Sequence, residues 1–210
     1  MTAKWRFPDA RLLVFAKAPV PGQVKTRLAG QLGYRGAARL YRQMVDQTLA
    51  RLTAGRYCPV ELWCAPDRQH RFFASCQQDY GVSLKIQQGP DLGVRMSRAL
   101  ATALADCRYA VLIGGDCLSL TDDDLDAALT ALRSGQDAVI SPAEDGGYLL
   151  IGLRQAQPAL FSGIRWSTSR VMTATRDRLH RAGLNWTELP TRWDIDRPAD
   201  LRRLRRERLS

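Results

Sequence analysis

Between an apolar run and an amphipathic stretch the chain reads AKAPVPGQVKTRLA, Ala16 to Ala29, with Lys25 and Arg27 two residues apart after a Pro/Gly-rich turn. A connecting loop would simply carry these cations into solvent. A loop that opens a helix would turn them, together with Lys17, on a di- or triphosphate, because helix N-termini present unpaired N–H groups and a positive partial charge. Gly22, the turn former in either case, is counted with them as a phosphate-binding candidate. The glycine that a Walker A loop has directly before its lysine is missing, and no dinucleotide fingerprint is present.

Three acidic stretches complete the chemistry. In IGGDCLSL, Gly114 and Gly115 allow close backbone approach and Asp116 is a candidate for holding a hard divalent cation through oxygen, or a turn aspartate bonded to its own backbone. In SPAEDGGYLLIGL, Glu144 and Asp145 precede Gly146 and Gly147, a turn suited to acceptor hydroxyls, to a base or to turn formation alone. In RWDIDRPADL, Pro198 favours a helix start with Asp196 as N-cap and Asp200 as first-turn acid. Asp194 and Asp196 are read as facing opposite sides of an extended segment, so that one of them reaches a crevice. WSTSR offers Ser167 or Thr168 as a helix cap with Trp166 packed beside it, and Asp122, Asp123 and Asp124 read as acids of a helix N-terminus capped by Thr121. Cys117 reads as a packed thiol.

These groups need a frame. Leu12 to Phe15 is a buried strand, and GAARLYRQMVDQTLARL repeats its apolar residues at helical steps. Strands follow at VELWCA, VSLKIQQ, YAVLIGG, DAVISPA, YLLIGL and NWTELP. Helices are expected at RQHRFFASCQQDY, RMSRALATALADC, TDDDLDAALTALRSG, IRWSTSRVMTATRDRLHRAG and the arginine-rich tail. Such alternation predicts an α/β protein with a mostly parallel sheet and right-handed crossovers. In open sheets of this kind ligands gather outside the carboxyl ends of the strands. No linker, charge-block boundary or repeat divides the chain, so residues 1–210 are read as one domain.

Composition narrows the function classes. The 210 residues are 45% hydrophobic, and no apolar run approaches membrane-spanning length. The first residues lack a secretory pattern, so the cytoplasm is expected. Five cysteines, an odd number without a C-x-x-C pair, predict reduced thiols and no zinc site. A net charge of +10 favours anionic ligands, although Arg202, Arg203, Arg205, Arg206 and Arg208 are expected as a solvated helix end.

Taken in order, AKAPVPGQVKTRL, QGPDLGVRM, GGDCLSLTDDDL, SPAEDGGYLLIGL, RWSTSRVMTAT and DIDRPADL resemble the bacterial DUF2064 family, over about residues 11–205. That family is placed in the GT-A, nucleotide-diphospho-sugar transferase superfamily, and some members carry the assignment of glycosyltransferase in arsenosugar biosynthesis. The resemblance implies a GT-A-like, Rossmann-like three-layer fold with helices on both faces. It also implies a nucleotide over the N-terminal half of the sheet and a divalent metal, Mg²⁺ or Mn²⁺, bridging its phosphates to aspartate. Lys25 and Arg27 fall on the family's K-T-R and would neutralise phosphate. Asp116 falls on its G-x-D position as metal ligand, with Asp196, and Asp194 beside it, as further carboxylates. Asp91 and Arg95 would close the nucleotide pocket. Leu118 stands where the family usually has proline, a change that bears on loop rigidity and leaves Asp116 in place.

The leading expectation is a metal-dependent glycosyltransferase taking a nucleotide-diphospho-sugar donor and a small-molecule acceptor. In it Asp116 and Asp145 are catalytic, and Glu144, Gly146, Gly147, Trp166 and Ser167 position the acceptor. The alternative is a nucleotidyltransferase, similar to the molybdopterin and lactyl-phosphate nucleotide-transferring enzymes, which share the D-x-D-x-P-x-D-L ending. A noncatalytic protein binding nucleic acid by charge alone ranks last, because the basic tail has no interleaved aromatics for stacking.

Overall fold

The computed structural model describes residues 5–207, with side chains through residue 204. The first strand, β1 (Ala10–Lys17), is buried at every position except Arg11 and Lys17, as expected of a strand covered on both faces. It is followed by a 3₁₀ turn (Thr26–Leu28) and α1 (Ala29–Ala54), then β2 (Val60–Ala65), α2 (Arg71–Tyr80), β3 (Ser83–Ile86) and α3 (Leu92–Leu104). The second half runs β4 (Tyr109–Gly114), α4 (Asp122–Arg133), β5 (Ala138–Pro142) and β6 (Tyr148–Leu153), then α5 (Val171–Arg181), β7 (Trp186–Glu188) and α6 (Pro198–Glu207).

All seven strands join one sheet in the order β3-β2-β1-β4-β6-β5-β7. β1 pairs in parallel with both β2 and β4, while β6 runs antiparallel between β4 and β5. The chain leaves β1 toward β2 and β3 and returns on its other side as β4. The carboxyl ends of β1 and β4 therefore flank the point where the winding reverses, which is where a crevice opens in such sheets.

Alternate strand residues feed two cores. Leu12, Val14, Leu62 and Val111 pack under α1, α2 and α4, whereas Leu13, Phe15, Leu112 and Ile140 pack under α3 and α5. This is the three-layer α/β/α arrangement that the alternating pattern predicts. A third cluster lies at the rim: Leu28, Ala37 and Met44 hold Trp193, Ile195 and Leu201 against the start of α1. It fixes the segment carrying Asp194 and Asp196 beside the loop carrying Lys25.

Element ends show where local preference was overridden. α1 begins seven residues before the expected GAARL stretch, across a non-helical Gly33 at φ 66°. α4 has the predicted Thr121 cap, reinforced by Asp124 as a reciprocal capping box. The expected Ser167 or Thr168 cap of α5 is not made. The helix starts at Val171, Ser167 sits at φ 61°, and the Thr168 hydroxyl donates backwards to the Arg165 carbonyl. Asp196 does not cap α6 either: Asp200 accepts the backbone N–H groups of Asp196 and Arg197, which frees the Asp196 carboxylate.

The tail also departs from a uniformly solvated end. Arg203 lies over the Trp193 ring, 4.3 Å from its centroid, and pairs with Glu144 at 2.9 Å. Arg208 and the side chains of Arg205 and Arg206 lie outside the described residues. Among those described, no helix is long and apolar enough to cross a membrane.

Candidate nucleotide and acceptor site

Lys25 is the hinge of the site. It stands in the left-handed region, φ 46° and ψ 39°, at the start of the 3₁₀ turn, a conformation a lysine keeps only where its surroundings demand it. Its ammonium donates to Asp116 Oδ2 at 2.7 Å and to Asp196 Oδ1 at 2.8 Å, and its side chain is only 6% exposed. Burial alone would pull its pKa down. The charges of Asp116 and Asp196 outweigh burial and raise it, so the group stays an ammonium. Arg27 reaches the other oxygen of Asp196 at 3.3 Å.

Asp116 follows β4 through two glycines that the packing requires. A Cβ on Gly115 would stand 3.2 Å from both the Phe15 carbonyl and Val45, and one on Gly114 would press on Cys117 and Asp116. The turn is then tied down, since Ser119 donates to the Trp193 carbonyl at 2.5 Å and accepts from its N–H. Arg192 makes a bidentate pair with Asp124 at 2.8 Å, locking the same segment to α4.

Asp194 and Asp196 were expected to face opposite ways, and that expectation fails. Residues two apart on extended backbone share a side, and both carboxylates feel Lys25. Burial and then the charge of Asp116 push Asp194 well above the usual carboxylate range, and its Oδ1 is shut off from solvent without a hydrogen-bond partner. Burial also opposes ionisation of Asp196, but Lys25 and Arg27 overcome it and hold the carboxyl below its usual range.

Two clefts meet at Arg27 and Asp196. One, of about 370 Å³, is lined by Lys17, Lys25, Tyr41, Gln87 and Asp116 and continues past Gln23 into a neighbour of about 460 Å³ that adds Arg95. The other, of about 630 Å³, is lined by Glu144, Asp145, Ser167, Asp194, Arg197 and Asp200. Their electrostatics differ in sign. Lys17, Lys25 and Arg27 outnumber two carboxylates in the first, whereas five carboxylates face two guanidiniums in the second. In a chain of net charge +10, that acidic cleft is a local inversion.

The remaining predicted residues divide. Asp91 does not close the pocket: its carboxylate caps α3, accepting from Val94 N–H, although Leu92 next to it lines the basic cleft. Arg95 lines the neighbouring cleft and donates to the Gly89 carbonyl. Gly22, at φ 84°, is a turn residue outside the lining. Trp166 also lies outside it. Its indole occupies the space a Cβ on Gly93 would need and meets Tyr148 edge to face, so its role is packing.

In the EDGG turn, Asp145 Oδ1 accepts from Gly147 N–H, a self-made turn that leaves its other oxygen at the acidic cleft. Gly146, at φ 87°, has no room for a Cβ, which would stand 2.2 Å from the Ser169 carbonyl oxygen.

Sequence reasoning missed Gln87 and Tyr41. Both Gln87 amide hydrogens point at backbone, to Ala16 and Trp63 carbonyls, which leaves its carbonyl oxygen to serve the cleft. A polar residue just beyond the carboxyl end of a strand was the available signal. Tyr41, periodic with the core of α1, also accepts from Lys17 N–H and so fixes the end of β1. Its second role was hidden by that periodicity.

Among the described residues no three Asp, Glu, His or Cys side chains are drawn together as a metal cage. Carboxylate oxygen is the ligand type a hard cation takes, and Asp116, Asp194 and Asp196 are the candidates for supplying it. Asp116 and Asp196 already share one positive charge between them, and Asp194 has an unpartnered oxygen beside them.

The sheet order and a ligand-sized crevice at its reversal point define an α/β protein of the GT-A-like class. The chain belongs to the family described as "Uncharacterized protein conserved in bacteria (DUF2064)", whose model matches residues 48–168. A 1.90 Å crystal structure from Desulfovibrio desulfuricans G20, of a protein provisionally assigned as a nucleotide-diphospho-sugar transferase, is 34% identical. It covers 90% of this chain and 83% of its own, with a TM-score of 0.81.

Two more distant structures share the fold alone. The 4-diphosphocytidyl-2C-methyl-D-erythritol synthase of Anaerococcus prevotii DSM 20548 is 9% identical, covering 97% of each chain at a TM-score of 0.65. The mannosyl-3-phosphoglycerate synthase of Rubrobacter xylanophilus is 15% identical over 94% of this chain and 70% of its own, at 0.51. No curated protein matches the chain.

Proposed function

We propose that the protein is a metal-dependent glycosyltransferase that takes a nucleotide-diphospho-sugar donor and a small, unphosphorylated acceptor. The observation that carries this reading is the change of sign across Arg27 and Asp196. Cations that suit a diphosphate line one cleft, and carboxylates that suit hydroxyl or amino groups line the next. The provisional assignment of the 34% identical relative supports the same donor class.

In this scheme the diphosphate lies along Lys17, Lys25 and Arg27, which offset the charge that develops as the sugar–phosphate bond breaks. Asp145, whose free oxygen faces the acidic cleft, takes the proton from the attacking hydroxyl. Glu144 and Ser167 orient the acceptor. Asp116 and Asp196, with Asp194 beside them, would hold a divalent cation, which when bound supplies Lewis-acid stabilisation of the leaving diphosphate.

Nucleotidyl transfer is the second reading, because enzymes of that chemistry share the fold. Its acceptor is a phosphate, which the acidic cleft disfavours through Asp145 above all, since Glu144 is paired with Arg203 and Asp196 with Lys25 and Arg27. A thermal-shift panel decides between them. A ligand at about a hundredfold its Kd adds about 2.7 kcal/mol, or about 5–10 °C for a chain of this size. Sugar nucleotides with Mg²⁺ or Mn²⁺ should give that shift. Stabilisation by nucleoside triphosphates alone would overturn the proposal.

A further inference from the structure

We infer that Lys25 and a divalent cation share one place between Asp116 and Asp196, and that a nucleoside diphosphate decides which of them occupies it. This rests on the donor class proposed above. In the structure the lysine fills the place completely, with one ammonium against one oxygen of each carboxylate and almost no exposure. An ammonium and a divalent ion cannot both sit there, since like charges at contact distance repel strongly in a partly buried site. The free protein therefore carries its own cation and has weak affinity for a second.

The way out for Lys25 is also visible. Lys25 is among the residues lining the basic cleft that holds Lys17 and Arg27, and its four-carbon stem is flexible. A diphosphate entering that cleft offers anionic oxygens to the same ammonium. Once Lys25 turns to phosphate, Asp116 and Asp196 lose their shared charge, and Asp194, buried near them with an unpartnered oxygen, is the candidate third carboxylate. Nucleotide and metal then bind as partners. By linkage each raises the affinity of the other by the same factor. Lys25 is in this sense a positioning residue for the metal as well as a ligand for phosphate.

The test is uptake of Mn²⁺, read from the electron paramagnetic resonance signal of the free ion, with nucleotide-only controls. Wild-type protein without nucleotide should leave the signal nearly undiminished. Lys25→Met without nucleotide should take up about one ion, at least about tenfold more tightly than wild type. Lys25→Arg, which keeps a charge in the place, should exclude the ion as wild type does. Wild type with UDP, GDP, CDP or ADP should bind Mn²⁺ at least about tenfold more tightly than without it.

Equal Mn²⁺ affinity of nucleotide-free wild type and Lys25→Met would overturn the inference. So would a coupling factor of one between Mn²⁺ and a diphosphate that does bind, an arm that needs no variant to fold. Failure of every diphosphate to bind would instead strike the donor proposal, leaving the Lys25→Met comparison to judge the shared place on its own.

Discussion

Replacing Arg192 by methionine tests how the site segment is held. Arg192 gives two 2.8 Å hydrogen bonds to Asp124, whose side chain is 3% exposed, and it is the residue two before Asp194. Methionine retains the stem but leaves a buried carboxylate without its partner. Breaking a fully buried pair costs about 3–5 kcal/mol. Because the Arg192 side chain is 28% exposed, water can reach the vacated end, and about 2–3 kcal/mol is the better expectation. That corresponds to about 5–10 °C in Tm.

The loss has a defined pH dependence. Burial raises the Asp124 pKa, but the Arg192 and Thr121 hydrogen bonds outweigh it and hold the group below the usual aspartate range. A folded pKa below the unfolded one contributes stability above the unfolded value, lost as pH falls through the folded one. Urea unfolding of wild type and variant should thus differ most near neutrality, begin to approach each other as pH falls below about 4, and converge only below the depressed Asp124 pKa. A difference under about 0.5 kcal/mol at pH 7, or one that does not shrink in acid, would refute the reasoning.

Other substitutions address the site itself. Lys25→Ala should weaken nucleoside diphosphates far more than nucleosides in calorimetric titration; equal losses would remove the phosphate role. Asp116→Asn should abolish the Mn²⁺ dependence of nucleotide binding while the urea transition stays cooperative, and retained dependence would exclude Asp116 as a ligand. Gly146→Ala should lower stability by at least about 2 kcal/mol, since it adds strain at φ 87° to a clash with the Ser169 backbone. An unchanged Tm would show that the turn relaxes freely.

Much of this protein could be read from its residues because the signals were local. VELWCA and YLLIGL are strands to the residue, and Thr121 caps α4 as its sequence implies. The alternation of strands and helices yielded a mostly parallel sheet, and the resemblance of six motifs gave the family. What could not be read is what distant residues do to one another. Nothing near Asp91 says that a helix cap will claim its carboxylate, and nothing near Asp196 says that Asp200 will cap α6 in its place.

Of the two readings of Trp166, packing beside a helix cap and acceptor binding, the structure favours packing, because Gly93, 73 positions earlier in the chain, leaves a hollow that its ring fills. Arg203 read as a solvated cation because neither Trp193 nor Glu144 announces where the tail will fold. The most informative contact, the lysine between two aspartates 91 and 171 residues away, exists only once the sheet has brought three loops to one rim.

In the proposed function this rim holds a diphosphate and a cation together. This is tested most directly by anomalous diffraction from crystals grown with Mn²⁺ and a nucleotide-diphospho-sugar. The expected result is a manganese peak bounded by Asp116 and Asp196, with phosphate density against Lys25 and Arg27. A fully occupied nucleotide whose phosphates lie elsewhere, or no anomalous peak at that rim, would contradict it.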